Sequence, residues 1–309
     1  MSTSPKRTRH RGAGAFLAAA LICATAVTSK AFAAAETFNT ALPVARGDFV
    51  YRQQILVMEA SGDPTPLNRD ERAWGGVSVL GYGVTPDFTL FAILPYLDKR
   101  VDFMMGGARV DRSTSGIGDA LLLGRYTLLS DNVAGRTFRI STFAGVKLPT
   151  GRDDATDRLG RLPRDLQLGS GSWDGIAGVI ATWQTLDYQI DAQAQYKVNT
   201  GADGFRFSDE ARLDASFQYR LWPRTLGTGV PGFLYGVVEA NLIHHDRNRI
   251  GGLADPNSGG TTLFLDPGLQ YVTRRWVLEA IVQLPAAQDL NGTAVKSDYS
   301  LLFGFRVNL

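Results

Sequence analysis

The sequence predicts one membrane-spanning, antiparallel up-and-down β-barrel of about twelve strands, preceded by an export leader. Three observations carry this reading. Apolar and polar side chains alternate with period two along most of the chain. The alternating segments are far longer than ordinary strands, and the connections between them are alternately short and long.

The chain opens on Lys6, Arg7, Arg9 and Arg11, followed by an apolar run from Gly14 to Val27 and then by Ala31-Phe32-Ala33. Basic region, apolar core and small-x-small site, in that order, describe a secretory signal peptide. The apolar run is about 14 residues, and a spanning helix needs roughly 20. Residues 1–33 are therefore read as a leader cleaved near Ala33. Residues 34–309 form the barrel, with 34–48 a periplasmic N-terminal segment or a plug.

Processing inverts the charge. The whole chain has 32 basic and 30 acidic residues, but the leader holds Lys6, Arg7, Arg9, Arg11 and Lys30 and no acid. The processed chain thus carries 27 basic against 30 acidic residues, a net charge of −3. Nucleic acid is excluded as a partner on that balance. The single cysteine, Cys23, lies in the leader behind Ile22, which is too bulky for a lipoprotein site, so the processed chain has no thiol chemistry.

Twelve alternating segments follow, at 49–60, 73–85, 88–104, 117–129, 137–150, 172–184, 188–200, 209–221, 232–247, 261–272, 276–288 and 298–309. The clearest runs Tyr188, Ile190, Ala192, Ala194, Tyr196, Val198 on one face and Gln189, Asp191, Gln193, Gln195, Lys197, Asn199 on the other. Ala211–Leu221 and Tyr299–Leu309 repeat it, with Leu302 out of pattern in the last. Short connections lie near 86–87, 130–136, 185–187 and 273–275, with a longer one at 223–231. Long ones lie at 61–72, 105–116, 151–171, 201–208, 248–260 and 289–297. An even strand number with short turns at one end and long loops at the other is the pattern of an outer-membrane barrel.

A soluble sheet shows the same period with its apolar face inward. Length and aromatic placement favour the membrane. Trp173 and Trp183 share a face ten residues apart. At about 3.3 Å per residue and a tilt near 40°, they lie roughly 25 Å apart along the membrane normal. Together with Tyr188, Tyr196, Tyr219, Tyr271, Trp276 and Tyr299 they are expected to form two aromatic girdles.

Faces can be assigned from residue 117 onward. The set expected to line the lumen includes Asp119, Arg125, Arg139, Lys147, Asp174, Gln189, Asp191, Gln193, Gln195, Lys197, Arg212, Asp214, Arg220, Glu239, Asp266, Glu279 and Arg306. Both signs are present, so a solvated, mutually neutralising interior is expected rather than a single-ion filter. Catalytic chemistry is not indicated. His244 and His245 are adjacent and point to opposite faces, and the outward residues read on the next strand, Leu263 to Tyr271, include no nucleophile for His244. Asp153, Asp154 and Asp157 lack the spacing of a calcium loop, and no metal or cofactor is expected.

Three stretches carry a resemblance: GIGDALLLGRYTLL at 116–129, FAGVKLPTGRDD at 143–154 and LQLGSGSWDGIAGVIATW at 166–183. Their order resembles the outer-membrane family named for the meta-pathway of phenol degradation. The resemblance implies a barrel that helps hydrophobic or aromatic molecules across the outer membrane, and it implies no binding residues. The expected function is therefore a channel for small molecules, with a closed structural or surface-binding barrel as the alternative. Outer-membrane lipid is the expected partner. The solute and the oligomeric state are not read from the sequence.

Overall fold

The computed structural model describes residues 33–225, 229 and 232–309; the leader through Phe32, with Cys23, lies outside the described residues. Twelve strands form one antiparallel sheet closed on itself. They are β1 (Phe49–Gly62), β2 (Asp70–Gly83), β3 (Phe88–Met105), β4 (in two segments, Ala108–Ile117 and Ala120–Val133), β5 (Arg136–Leu148), β6 (Asp174–Thr185), β7 (Tyr188–Val198), β8 (Glu210–Trp222), β9 (Phe233–His245), β10 (Gly260–Val272), β11 (Trp276–Leu290) and β12 (Lys296–Asn308). Each strand pairs with its sequence neighbours, and β12 returns to β1 from Val50 opposite Asn308 to Glu59 opposite Tyr299. Closure leaves no sheet edge, so the strands are paired on both sides around the whole barrel.

The side chains sort as a membrane requires. In β7, Gln189, Asp191 and Gln193 are buried while Ile190, Ala192, Ala194 and Tyr196 are exposed. In β8, Asp214, Ser216, Gln218 and Arg220 are buried, while Leu213, Ala215, Phe217 and Tyr219 are exposed. A soluble sheet would bury the apolar set. Here the apolar set forms the outer surface.

The short turns and the paired ends Phe49 and Leu309 lie at one end of the barrel. That end is periplasmic in this class of barrel, and the long-loop end is extracellular. The stretch 105–116, expected as a long loop, is instead a hairpin with Met105 opposite Ala108 around a Gly106-Gly107 turn, both at positive φ (61° and 82°). Its strands stand beyond the apolar belt, where one face packs under the 151–171 loop and the other meets water, so the alternation that marks a strand in lipid is lost there. Loops 201–208 and 248–260 also contain short strands, 201–202, 205–206, 249–250 and 253–254, which pair into a small four-stranded sheet.

The three resemblance motifs converge on one knot at the extracellular mouth. Gly118 N donates to Pro95 O at 2.9 Å, continuing the pairing of β3 and β4 across the break in β4. The Asp119 carboxylate accepts from Gly151 N (2.9 Å), Ser170 N (2.9 Å) and Lys147 Nζ (2.7 Å). Lys147 also reaches Asp174 at 2.6 Å, and its ammonium contacts Ser170 Oγ. Thr150 Oγ1 donates to Gly118 O at 3.1 Å. A Cβ on Gly169 would stand 2.3 Å from Gly151 O, so no side chain fits there. The knot closes the 151–171 loop at its base. Arg112 holds the loop tip through Asp157 (2.8 Å), and Ala155, Leu162 and Leu166 pack on Val101.

Two outcomes follow from this architecture. Lys147→Met leaves the buried carboxylates of Asp119 and Asp174 without their cation. It should cost on the order of 3 kcal/mol, read as a lower denaturation midpoint with faster proteolysis inside 151–171. In the first extracellular loop, the Arg69 side chain hydrogen-bonds Asp63 and holds its carboxyl well below the ordinary carboxylate range. A depressed folded pKa contributes stability that is present above the unfolded value of about 3.9 and is lost only as pH falls through the folded value. Hydrogen exchange in 63–69 should therefore stay slow at pH 4, whereas Asp63→Asn should make it fast at neutral pH.

Candidate functional site

Inside the barrel lies the chain's own N-terminal segment, residues 33–48. It is neither helix nor strand, and Ala33–Glu36, Phe38 and Ala41 are buried. A backbone without secondary structure must find other hydrogen-bond partners when water is excluded. Lumen side chains supply them, and they divide by chemistry.

The segment's N–H groups go to acceptors on β6, β7, β9 and β10. Ala34 N donates to Gln270 Oε1 (3.1 Å), Glu36 N and Thr37 N to the Glu239 carboxylate (2.8 and 3.0 Å), and Ala41 N to Thr182 Oγ1 (2.9 Å). Asn39 N reaches Gln193 Oε1 at 3.4 Å. Thr37 Oγ1 also contacts Glu239, and Thr40 Oγ1 donates to Asp191 at 3.1 Å. The segment's carbonyls go chiefly to arginines on the facing wall. Arg125 donates to Thr40 O and Leu42 O (2.5 Å each), and Arg52 to Glu36 O at 2.8 Å. Arg52 is in turn fixed by Glu279 at 2.6 Å.

Between the segment and the wall remains a cavity of about 630 Å³. Its lining is chemically split. Val77, Val79, Phe91, Ile93 and Leu123 contribute an apolar wall from β2, β3 and β4, while Gln193, Gln195 and Arg212 face them from β7 and β8. Buried Phe143 and Ile180 extend the apolar side onto β5 and β6. Arg125, on the same side, has its guanidinium 4.9 Å from the centre of the Phe91 ring.

The residues expected in the lumen fall into four groups. Asp119, Lys147 and Asp174 meet in the knot at the extracellular mouth. Gln189, Asp191, Gln193, Asp214, Glu239, Asp266 and Glu279 are buried along β7–β11, with Gln195 and Arg212 half-buried beside them and Lys197 opposite Glu210. Arg212 pairs with Asp214 at 3.0 Å. Arg139 and Arg220 stand near the periplasmic end, Arg139 on Asn132 at 3.2 Å and Arg220 on Asp187 at 2.5 Å. Arg125 and Arg306 are on β4 and β12, Arg306 beside Glu279 of the neighbouring strand β11.

Several residues that hold the segment are not among those the sequence singles out. Thr182 and Gln270 are uncharged, and Arg52 and Gln54 sit in strands whose facing the alternation does not assign. A signal for the apolar wall was present: the 172–184 segment has Val179 on one face and Ile176 and Ile180 on the other, so it is apolar on both sides. At the extracellular rim, the lack of a hydroxyl partner for His244 needs correction. Strand β10 begins at Gly260, which places Thr261 Oγ1 at 2.8 Å from His244 Nδ1.

Of the aromatic side chains expected at the two girdles, Trp173, Trp183, Tyr196, Tyr219 and Trp276 are exposed on the outer surface, and Tyr188, Tyr271 and Tyr299 are half-buried. Trp183 packs at a tilt against Phe138, Trp276 against Tyr271, and Tyr188 against Phe217. A closed barrel with this outer belt is built for lipid, and its fold is that of bacterial outer-membrane proteins.

Comparison with known proteins agrees. Superposed on the COG4313 outer membrane channel from Pseudomonas putida F1, the chain gives a TM-score of 0.65 at 15% identity, over 87% of this chain and 98% of that one. The beta domain of the Bordetella autotransporter Brka gives 0.50 at 12% identity, over 85% of this chain and all (100%) of that one. No curated protein matches the sequence. The chain has the fold of bacterial outer-membrane β-barrels. One family matches residues 68–284, which run from β2 into β11 and include the whole Asp119–Lys147–Asp174 knot; the chain therefore belongs to the family described as "Putative MetA-pathway of phenol degradation".

Proposed function

We propose that this barrel is a channel through which small hydrophobic or aromatic molecules cross the outer membrane by passive diffusion. The observation that carries the reading is the apolar wall of the lumen cavity, formed by Val77, Val79, Phe91, Ile93 and Leu123. Burying apolar surface is worth roughly 25 cal/mol per Å², so such a wall favours an apolar solute over a sugar or an ion of the same size. Similarity to a solved outer-membrane channel supports a conducting role. The residues of the site bind and orient, and the reading assigns them no catalytic step and no cofactor.

In this reading residues 34–48 act as a plug, and passage requires the segment to shift on its apolar side. The whole stretch from Ala34 to Ala45 apart from Ala41 lines the cavity, but hydrogen bonds to Glu239 and Thr182 hold Glu36, Thr37 and Ala41. Beyond Leu42 O, which Arg125 holds, Val44 N reaches only Thr89 Oγ1 at 3.4 Å. The alternative is a closed barrel with a structural or surface-binding role. It is favoured by the same hydrogen bonds, which fill much of the lumen.

Purified protein in planar bilayers and proteoliposomes separates the two readings. Deleting residues 36–45, which leaves the leader junction in place, should raise single-channel conductance several-fold. A barrel that conducts nothing and takes up no small aromatic compound, with or without that deletion, is a closed barrel. A second variant tests the solute class. Val79→Asn with Ile93→Asn should lower uptake of an aromatic probe by roughly tenfold, because apolar contact is lost on two side chains, while ion conductance stays the same or rises.

A further inference from the structure

A cleft of about 410 Å³ opens at the extracellular end of β8–β10, lined by Arg206, Asp209, His244, His245, Arg247 and Arg249 together with neighbouring loop residues. Its lining carries three arginines together with the acids Asp209 and Asp246, the latter 3.6 Å from His244. Several loop arginines elsewhere on the rim are matched by acids: Arg69 with Asp63 at 2.9 Å, Arg112 with Asp157 at 2.8 Å and Arg161 with Asp203 at 2.8 Å. Within the cleft, Arg206 is matched by Asp209 at 2.7 Å. Among the described residues, Arg247 and Arg249 have no ion-pair partner.

Arg249 lies directly opposite Arg206 where 205–206 pairs with 249–250, so both side chains stand on the same face of the small loop sheet. Arg206 is already held there, its Nε donating to Asn199 O at 2.7 Å and its guanidinium to the Asp209 carboxylate at 2.7 Å. Arg249 is the member of that pair left to take an anion. Arg247, two residues from Arg249, lines the same cleft and supplies a third guanidinium. Planar guanidinium forks match the oxygens of a phosphate better than any other side chain.

Depth in the membrane narrows the ligand. His244, at the edge of the cleft, is on the outward-facing side of β9, above exposed Leu242 and Val238. The cleft therefore borders the upper limit of the apolar belt, the level at which outer-leaflet lipids carry their head groups. In the bacterial outer membrane those lipids are phosphorylated glycolipids, and basic pockets at a membrane surface bind lipid phosphates. We propose that Arg247 and Arg249, beside the Asp209-held Arg206, form a binding site for the phosphate-bearing head group of an outer-leaflet glycolipid. Free phosphate shares the chemistry, but nothing in free phosphate would use the adjoining apolar surface. The site is independent of whether the lumen conducts.

Native mass spectrometry of the full-length barrel in detergent tests this with three probes: diphosphoryl lipid A, the same lipid with its phosphates removed, and inorganic phosphate. The native protein should retain the diphosphoryl lipid. Replacing Arg247→Gln and Arg249→Gln together should weaken retention by roughly tenfold or more, as expected for lost charge-assisted hydrogen bonds. Arg158→Gln, an exposed arginine in the 151–171 loop, should change nothing. Heat-modifiable migration on gels verifies that each variant is folded. Equal retention by the native protein and the double variant overturns the site, as does equal retention of the phosphate-free lipid. Binding of inorganic phosphate without binding of the lipid overturns the lipid assignment.

Discussion

A peptide segment lying inside a barrel takes its N–H and C=O groups out of reach of both water and a sheet, and each group left unpaired costs about 1–3 kcal/mol. Much of the interior of this protein answers that constraint. Residues 33–45 have no strand partner, so side chains of the wall act as one. Glu239 takes two consecutive N–H groups, Gln270 serves Ala34 with both its oxygen and its nitrogen, and Arg125 spans two carbonyls. The lumen is thus a set of receptors for one backbone conformation as well as a lining.

That division of labour explains why the two walls differ. Acceptors for N–H groups must be carboxylates, amides or hydroxyls, and they are gathered on β6–β10. Donors for carbonyls are mainly guanidinium groups, and Arg52 and Arg125 come from β1 and β4. Once the segment is anchored to those groups, the wall of β2 and β3 has little backbone left to satisfy beyond Val44 N, which reaches Thr89 Oγ1 at 3.4 Å. Its inward positions become Val77, Val79, Phe91 and Ile93, and the cavity lies against them. An apolar route beside a hydrogen-bonded filler is therefore one consequence of how the filler is held.

The strands were legible because lipid enforces a strict rule: outside apolar, inside free to be polar. Tyr188–Val198 could be read residue by residue, since Asp191 and Gln193 have no tolerable place in hydrocarbon. Where the rule relaxes, the reading blurred. Arg109, Asp111 and Arg112 extend β4 into water, where neither face must be apolar, and they looked like loop. In β2 and β3 apolar residues occupy both faces, so parity alone does not say which points inward. The N-terminal segment offers no period at all. Its place depends on Glu239 and Arg125, about 200 and 85 residues away in the chain, and that pairing exists only once the barrel has closed. The motif glycines carry the opposite lesson. Gly151 and Gly169 stood out as residues, but only the 2.3 Å clearance between them shows why a side chain is excluded.

The same hydrogen bonds limit how a channel of this kind can open. The segment is held by on the order of ten of them, and each contributes roughly 1 kcal/mol net. Expelling the whole segment would then cost on the order of 10 kcal/mol. At about 1.4 kcal/mol per factor of ten, the expelled state would be populated about once in ten million. Conduction that depended on full expulsion would be negligible. Leu42–Ala45 are different, because the wall beside them is mostly apolar and Val44 N reaches only Thr89 Oγ1, at 3.4 Å. A displacement confined to those residues breaks one or two bonds and costs a few kcal/mol, which thermal motion supplies often. The energetics therefore place any gate where the segment leaves the polar wall for the apolar one, next to the cavity that an apolar solute would occupy.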